Sequence, residues 1–245
     1  MSILESSISK KCAKITDIGR IRHLNEDSLH CGDNLWVVAD GMGGHACGDV
    51  ASQLAIKVIV DQFTKSANLV NAIELAHDKV LEAGQKGEGQ KGMGTTVVAL
   101  TCVNDEFEIA WVGDSRAYLW QPEHQKLAAL TIDHSLVAGM VQKGIISEKQ
   151  ARLHPQRNMI TRCLGSKHTA TFEVDKCQGL WQPNQQILLC SDGLSDEICE
   201  SQMVELLLKA GSNCDKLEQM VDAAKEAGGR DNISAILIDS PVNTA

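Results

Sequence analysis

Residues 35–45 constrain this chain more than any other stretch. An apolar run, Leu-Trp-Val-Val-Ala, reaches Asp40 and then breaks into Gly41, Met42, Gly43, Gly44 and His45. The run predicts a buried strand, and the glycines behind it let the backbone come close to whatever the carboxylate holds. The design returns twice: residues 109–115 end an apolar run in Gly113, Asp114 and Ser115, and residues 187–193 end one in Ser191, Asp192 and Gly193. Asp40 therefore reads as a metal ligand, and the repetition argues that the acids share a purpose.

Taken in order, residues 1–11 are polar and read as a frayed end or an edge strand. Residues 12–30 give a short strand, a loop with Gly19, the polar triplet Asn25, Glu26 and Asp27, and a second strand. Apolar residues recur at helical spacing from Ala51 to Phe63 and again over 68–83, so two amphipathic helices follow, the second capped by Asn68. Gly87, Gly89 and Gly92 have the spacing of a dinucleotide-binding turn. That turn needs a strand before it and a helix after it, and here the order is reversed. Further strands are expected over 95–101, 107–112 and 117–120, the last two turning back on one another through Gly113 to Arg116, and over 168–177 and 233–238. A helical piece should open at Ser135 and run to Lys143. Ser147 and Gln150 have capping-box spacing, and two helices are expected over 201–210 and 214–227.

Composition sets limits on function. With 245 residues, 43% hydrophobic but only 3% aromatic, the core is expected to be built from Val, Ile, Leu and Ala in one domain spanning 1–245. A formal charge of −9 and few aromatics disfavour phosphate backbones and base stacking, so no nucleic-acid partner is expected. Nine scattered cysteines without C-x-x-C spacing fit reduced thiols in a cytoplasmic protein, and no leader or membrane-spanning run is apparent.

Asp27, Asp40, Asp114, Asp192 and Asp231 each fall at an expected strand boundary beside Gly, Ser or Asn. Carboxylates that converge repel one another unless cations sit between them, and oxygen-only ligation selects hard ions such as Mg²⁺ or Mn²⁺ over zinc. Taken singly, each acid would suit a turn or a helix cap.

The same residues carry a resemblance. Arg22-x-x-Asn25-Glu26-Asp27, Asp40-Gly41-Met42-Gly43-Gly44-His45-x-x-Gly48, Gly94-Thr95-Thr96, Gly113-Asp114-Ser115-Arg116, Asp133-His134-Ser135, Ser191-Asp192-Gly193 and Asp231-Asn232 resemble, in order, the motif set of the compact bacterial PP2C-type metal-dependent protein serine/threonine phosphatases. The likeness runs from Asp17 to Ile238. It implies an α+β fold, a four-layer α-β-β-α sandwich of two central antiparallel sheets flanked by helices, with a flap over the site near residues 144–165.

It also implies roles. Asp40 would bridge two Mn²⁺ or Mg²⁺ ions, with the Gly41 carbonyl on one and Asp192 and Asp231 on the other. Asp27 and Glu26 would hold metal-bound waters, Asp114 would help bind a third ion, and Arg22 would grip phosphoryl oxygens. The implied reaction is in-line attack of a bimetal-activated water on phosphoserine or phosphothreonine in proteins, opposing a bacterial serine/threonine kinase, by a monomer without membrane attachment. Eukaryotic members carry a histidine two residues after the bridging Asp, where this chain has Met42. His45 is then a candidate proton donor to the leaving oxygen, against a metal-bound water in that role or a packing role for the histidine. His23 and His134 read as structural.

Three rival readings are open to the residues. A catalytically dead binding module conflicts with retention of every core acid. A two-metal nuclease conflicts with the acidic balance, and an esterase using Ser115 lacks a Gly-x-Ser-x-Gly elbow.

Overall fold

The computed structural model describes residues 12–43, 47–87, 89, 91–167 and 172–241. Its first half runs β1 (Cys12–Asp17), β2 (Asp27–Cys31), β3 (Leu35–Met42), α1 (Gly48–Ser66), α2 (Leu69–Lys86), β4 (Gly94–Thr95), β5 (Val97–Val103) and β6 (Glu106–Val112). β7 (Arg116–Gln121), β8 (Lys126–Ala129), α3 (Leu136–Gln142), α4 (Glu148–Arg152), β9 (Asp175–Leu180) and β10 (Gln186–Cys190) come next. The described chain closes with α5 (Asp192–Ser195), α6 (Glu200–Leu208), α7 (Asn213–Ala227) and β11 (Ile233–Asp239).

The strands make two antiparallel sheets. One has the order β1-β11-β10-β7-β8, and the other β2-β3-β5-β6-β9 with β4 paired to β3. Each sheet buries both faces, so the central strands are continuously apolar rather than alternating. Val37, Val38, Val97 and Val98 are all fully buried. Between the sheets lie Val38, Val98, Leu100, Ile109, Leu189 and Ile236. The outer face of the six-stranded sheet meets α1 and α2 through Ala55, Ile59, Ile73 and Val80, and the five-stranded sheet meets α6 and α7 through Leu207, Met220 and Val221. The result is the α-β-β-α sandwich that the resemblance implied.

Helix ends follow the local chemistry. Asn68 accepts a hydrogen bond from Asn71 N at 3.0 Å, Ser135 caps α3 through Ala138 N, and Ser147 with Gln150 forms a complete capping box on α4.

Several expectations are corrected. β6 and β7 do not form a hairpin: β6 belongs to the six-stranded sheet and β7 to the five-stranded one. Gly113, at φ +113°, turns the chain from one sheet to the other, in a backbone region that side chains disfavour. The strand expected over 168–177 begins only at Asp175, where pairing with Trp111 of β6 starts; residues 168–171 lie outside those described. Residues 1–11 lie outside them as well. The core also holds more than aliphatics, since Trp36, Trp111, Trp120 and Trp181 are all at most 6% exposed. Asp40 lies within β3, two residues before its end.

Candidate active site

Asp27 opens β2 and is paired across the ladder with Asp40 of β3. Residues directly opposite in an antiparallel pair present their side chains to the same face, so register alone brings two carboxylates together. The backbone of Asp40 is held by two threonines. Its carbonyl accepts from Thr96 N at 2.8 Å and Thr95 Oγ1 at 2.9 Å, and its own N–H donates to Thr96 Oγ1 at 3.1 Å.

From the other sheet, β10 delivers Ser191 and Asp192. Ser191 Oγ donates to Asp27 Oδ2 at 2.9 Å, a direct link between the two sheets. Gly193 follows because a Cβ there would sit 1.9 Å from the Asn232 carbonyl oxygen. Asp231 precedes β11, and its Oδ2 accepts from Arg22 Nη2 at 2.7 Å. Arg22 Nη1 also lies 3.9 Å from Glu26 Oε2. Glu26 is tied to the glycine turn: its carbonyl accepts from Gly41 N at 3.2 Å and its Oε1 from Gly48 N at 3.0 Å.

Asn232 fastens these loops together. Its Oδ1 accepts from Glu26 N at 2.8 Å, and its Nδ2 donates to the carbonyls of Ile18 and Leu24, each at 3.0 Å. Asn232→Ala should strand those buried groups and destabilise the chain by on the order of 2–4 kcal/mol. Urea unfolding checks this, and a variant within about 0.5 kcal/mol of the parent would count against the clamp.

Asp114 sits in the turn after β6, pinned by His134. The His134 Nδ1 accepts from Gly113 N at 3.1 Å, the His134 N–H donates to the Gly113 carbonyl at 2.9 Å, and Nε2 lies 3.2 Å from Asp175 Oδ2. Burial lowers the His134 pKa, which fits a neutral ring that accepts at Nδ1. His134 is therefore structural, as read from sequence, whereas His23 is exposed. Ser115 is buried with its Oγ 2.7 Å from Thr96 Oγ1, so a nucleophilic role for it is ruled out.

The electrostatics show that the acids face one another. Asp40 titrates well above the usual carboxylate range, first because it is buried and then because Asp27, Asp192, Asp114 and Asp231 surround it. Asp192 rises for the same reasons, with Asp114, Asp196 and Asp231 as neighbours. Burial, with Asp133 adding to it, pushes Asp114 up to about 7, and burial pushes Asp27 up to about 6 against the pull of hydrogen bonds from Ser234 and Ser191.

Among the described residues four carboxylate oxygens are sealed from solvent without a hydrogen-bond partner: Asp27 Oδ1, Asp114 Oδ1 and Asp192 Oδ1 on the converging acids, and Asp49 Oδ1 in the first turn of α1. Such atoms are expensive to leave unpaired. Among the described residues no three acid, imidazole or thiol groups form a ready-made cage. Hard dications do not need one, since they retain waters and take one or two carboxylates apiece. Orphaned anionic oxygens without an imidazole or thiol among them fit Mg²⁺ or Mn²⁺.

A cavity of about 670 Å³ reaches this cluster, lined by Asp114, Asp192 and Asp196 and by Val137, Ala138 and Val141 of α3. Sequence reasoning missed Asp196, which follows Asp192 by one helical turn, and that spacing was its only signal. It also missed the paired contacts of Arg116 to Asp133, at 2.8 and 2.6 Å, beneath Asp114. His45 lies outside the described residues.

Two antiparallel sheets thus bring Asp27, Asp114, Asp192 and Asp231 into electrostatic range of Asp40, beside the exposed Arg22, an arrangement suited to hard dications and a phosphoryl group. The family profile described as Protein phosphatase 2C matches residues 22–237, and the chain belongs to that family. It is 36% identical over 239 residues to the serine/threonine phosphatase stp of Listeria welshimeri, covering 91% of this chain and 93% of that one. The crystal structure of the Mycobacterium tuberculosis serine/threonine phosphatase PstP/Ppp superposes with a TM-score of 0.86 at 31% identity, over 94% of this chain and 97% of that one. A structure of the PstP catalytic domain in complex with two manganese ions has a TM-score of 0.83 at 28% identity, over 98% and 99%.

Proposed function

We propose that this chain is a metal-dependent protein phosphatase that hydrolyses phosphoserine and phosphothreonine in proteins. The observation that carries the reading is the set of orphaned, sealed carboxylate oxygens on Asp27, Asp114 and Asp192 inside a ring of mutually repelling acids. In this reading Asp40, the Gly41 carbonyl, Asp192 and Asp231 are the groups that would hold two Mn²⁺ or Mg²⁺ ions, and Asp114 would help to hold a third. When bound, the ions supply a water acidic enough to attack phosphorus near neutral pH and offset the charge that develops there.

The protein's own groups do the rest. Asp27 and Glu26 would accept hydrogen bonds from the waters that such ions carry. Thr95 and Thr96 fix the backbone of Asp40 so that its carboxylate does not follow the substrate. Arg22 is anchored through one nitrogen by Asp231 and keeps its side chain 46% exposed, leaving donors for the phosphoryl oxygens. His45 is a candidate proton donor to the leaving oxygen, a role that rests on sequence.

The finer parts of the reading concern context. The phosphoproteins are those modified by a serine/threonine kinase, and the chain acts as a cytoplasmic monomer. Among the described residues no helix is long and apolar enough to cross a membrane.

The test is phosphate release from phosphoserine and phosphothreonine peptides with added Mn²⁺. Release that stops on chelation is expected; release that survives chelation contradicts the reading. Arg22→Ala should raise KM about tenfold or more while changing kcat much less, the loss expected for one charged hydrogen-bonding contact. An unchanged KM would remove Arg22 from the binding role.

A further inference from the structure

Outside the acid site, one cluster of reactive side chains stands apart. Cys12 is the first residue of β1 and Cys31 the last of β2, and these are edge strands of the two different sheets. Their Sγ atoms are 3.3 Å apart, both half-buried, and both residues are free thiols. A disulfide has an S–S distance of about 2.05 Å, so closing the remaining gap asks for small side-chain rotations. The 19 residues of sequence separation include Arg22, Glu26 and Asp27.

We propose that Cys12 and Cys31 form an oxidation site, a facing dithiol that a hydroperoxide converts into a reversible disulfide, stapling the sheet edges across the loop that bears Arg22. The two thiols are not equivalent. The contact with Cys31 brings the Cys12 pKa down to about 7, with Lys14 assisting against burial, whereas the same contact and burial raise that of Cys31. Cys12 is therefore the attacking sulfur and Cys31 the resolving one.

In the first step the Cys12 thiolate attacks the O–O bond of the hydroperoxide. A sulfenic acid forms on Cys12, and the alkoxide leaves and is protonated to an alcohol, or to water when the oxidant is hydrogen peroxide. In the second step the Cys31 sulfur attacks the Cys12 sulfur, the S–S bond forms, and the hydroxyl departs as water with the Cys31 proton. The sulfurs together lose two electrons and the hydroperoxide gains them. A thiol reductant reverses the result by exchange.

The experiment treats the reduced full-length chain with one equivalent of hydrogen peroxide, alkylates the remaining thiols and maps the peptides by mass spectrometry. The dominant product should be a Cys12–Cys31 cross-linked peptide, lighter by two hydrogens than its reduced parts, with the other cysteines alkylated and both thiols recovered by dithiothreitol. C31S should give no cross-link and leave Cys12 as a sulfenic acid that dimedone traps. The cross-linked wild-type chain should unfold about 5 °C or more above the reduced one. Cys12 and Cys31 remaining alkylatable while other cysteines are consumed would overturn the site, and an unshifted unfolding midpoint in the cross-linked chain would overturn the staple.

Discussion

Asp192→Asn is expected to lower turnover of a phosphoserine peptide by about a thousandfold or more, because a metal ligand that stabilises transition-state charge contributes several kcal/mol. The same change should raise the thermal midpoint of the metal-free chain. Asp192 is buried against Asp40, Asp114, Asp196 and Asp231, and its Oδ1 has no donor. The asparagine amide removes one charge from that ring and brings an N–H that a neighbouring carboxylate can accept. Relief of about 1–2 kcal/mol is reasonable for a repulsion of this kind and corresponds to a few degrees. Turnover within about tenfold of the parent, or a metal-free midpoint lower than the parent's, contradicts the placement of Asp192 at the centre of the ring.

Removal of metal should expose a pH dependence with a definite sign. Asp27 at about 6 and Asp114 at about 7 both titrate above the ordinary carboxylate value of 3.8. Between roughly pH 4 and pH 7 the folded, chelated chain therefore binds more protons than the unfolded one, and its stability falls as pH rises through that window. The stabilising contribution is fully present below the unfolded pKa and is lost by the folded one. Asp175 and Glu197, held low by His134 with Arg162 and by Arg230, act oppositely but at the acid end. A drop of several kcal/mol across the window is expected for two such groups, and saturating Mn²⁺ should abolish it. Denaturant titrations at each pH measure this, and a chelated chain whose stability holds level or rises from pH 4 to 7 contradicts it.

Much of the fold was legible because it is local. Helical spacing located α1 and α2, and Asn68 marked the start of the second. The acid positions were legible because turn chemistry follows each of them. What could not be read depends on partners distant in sequence. Two apolar runs separated by Gly113-Asp114-Ser115 look like a hairpin, and only the +113° φ of Gly113 and the packing of two sheets show that they part. Alternation over 168–177 signals β-capable residues, but a strand exists where a neighbour offers hydrogen bonds, and β6 offers them from Trp111 onward. The low aromatic content concealed that all four tryptophans are core residues. Asp196 and the Asn232 clamp became visible only once the loops that they join were in place.

Anomalous scattering from a crystal soaked in Mn²⁺ would decide whether these aspartates exist to hold dications. The expected map has two strong peaks that share Asp40, one of them also contacting Asp192 and Asp231. A map with no manganese among Asp40, Asp192 and Asp231, from crystals that bind the ion elsewhere or not at all, would contradict the metal-dependent hydrolase.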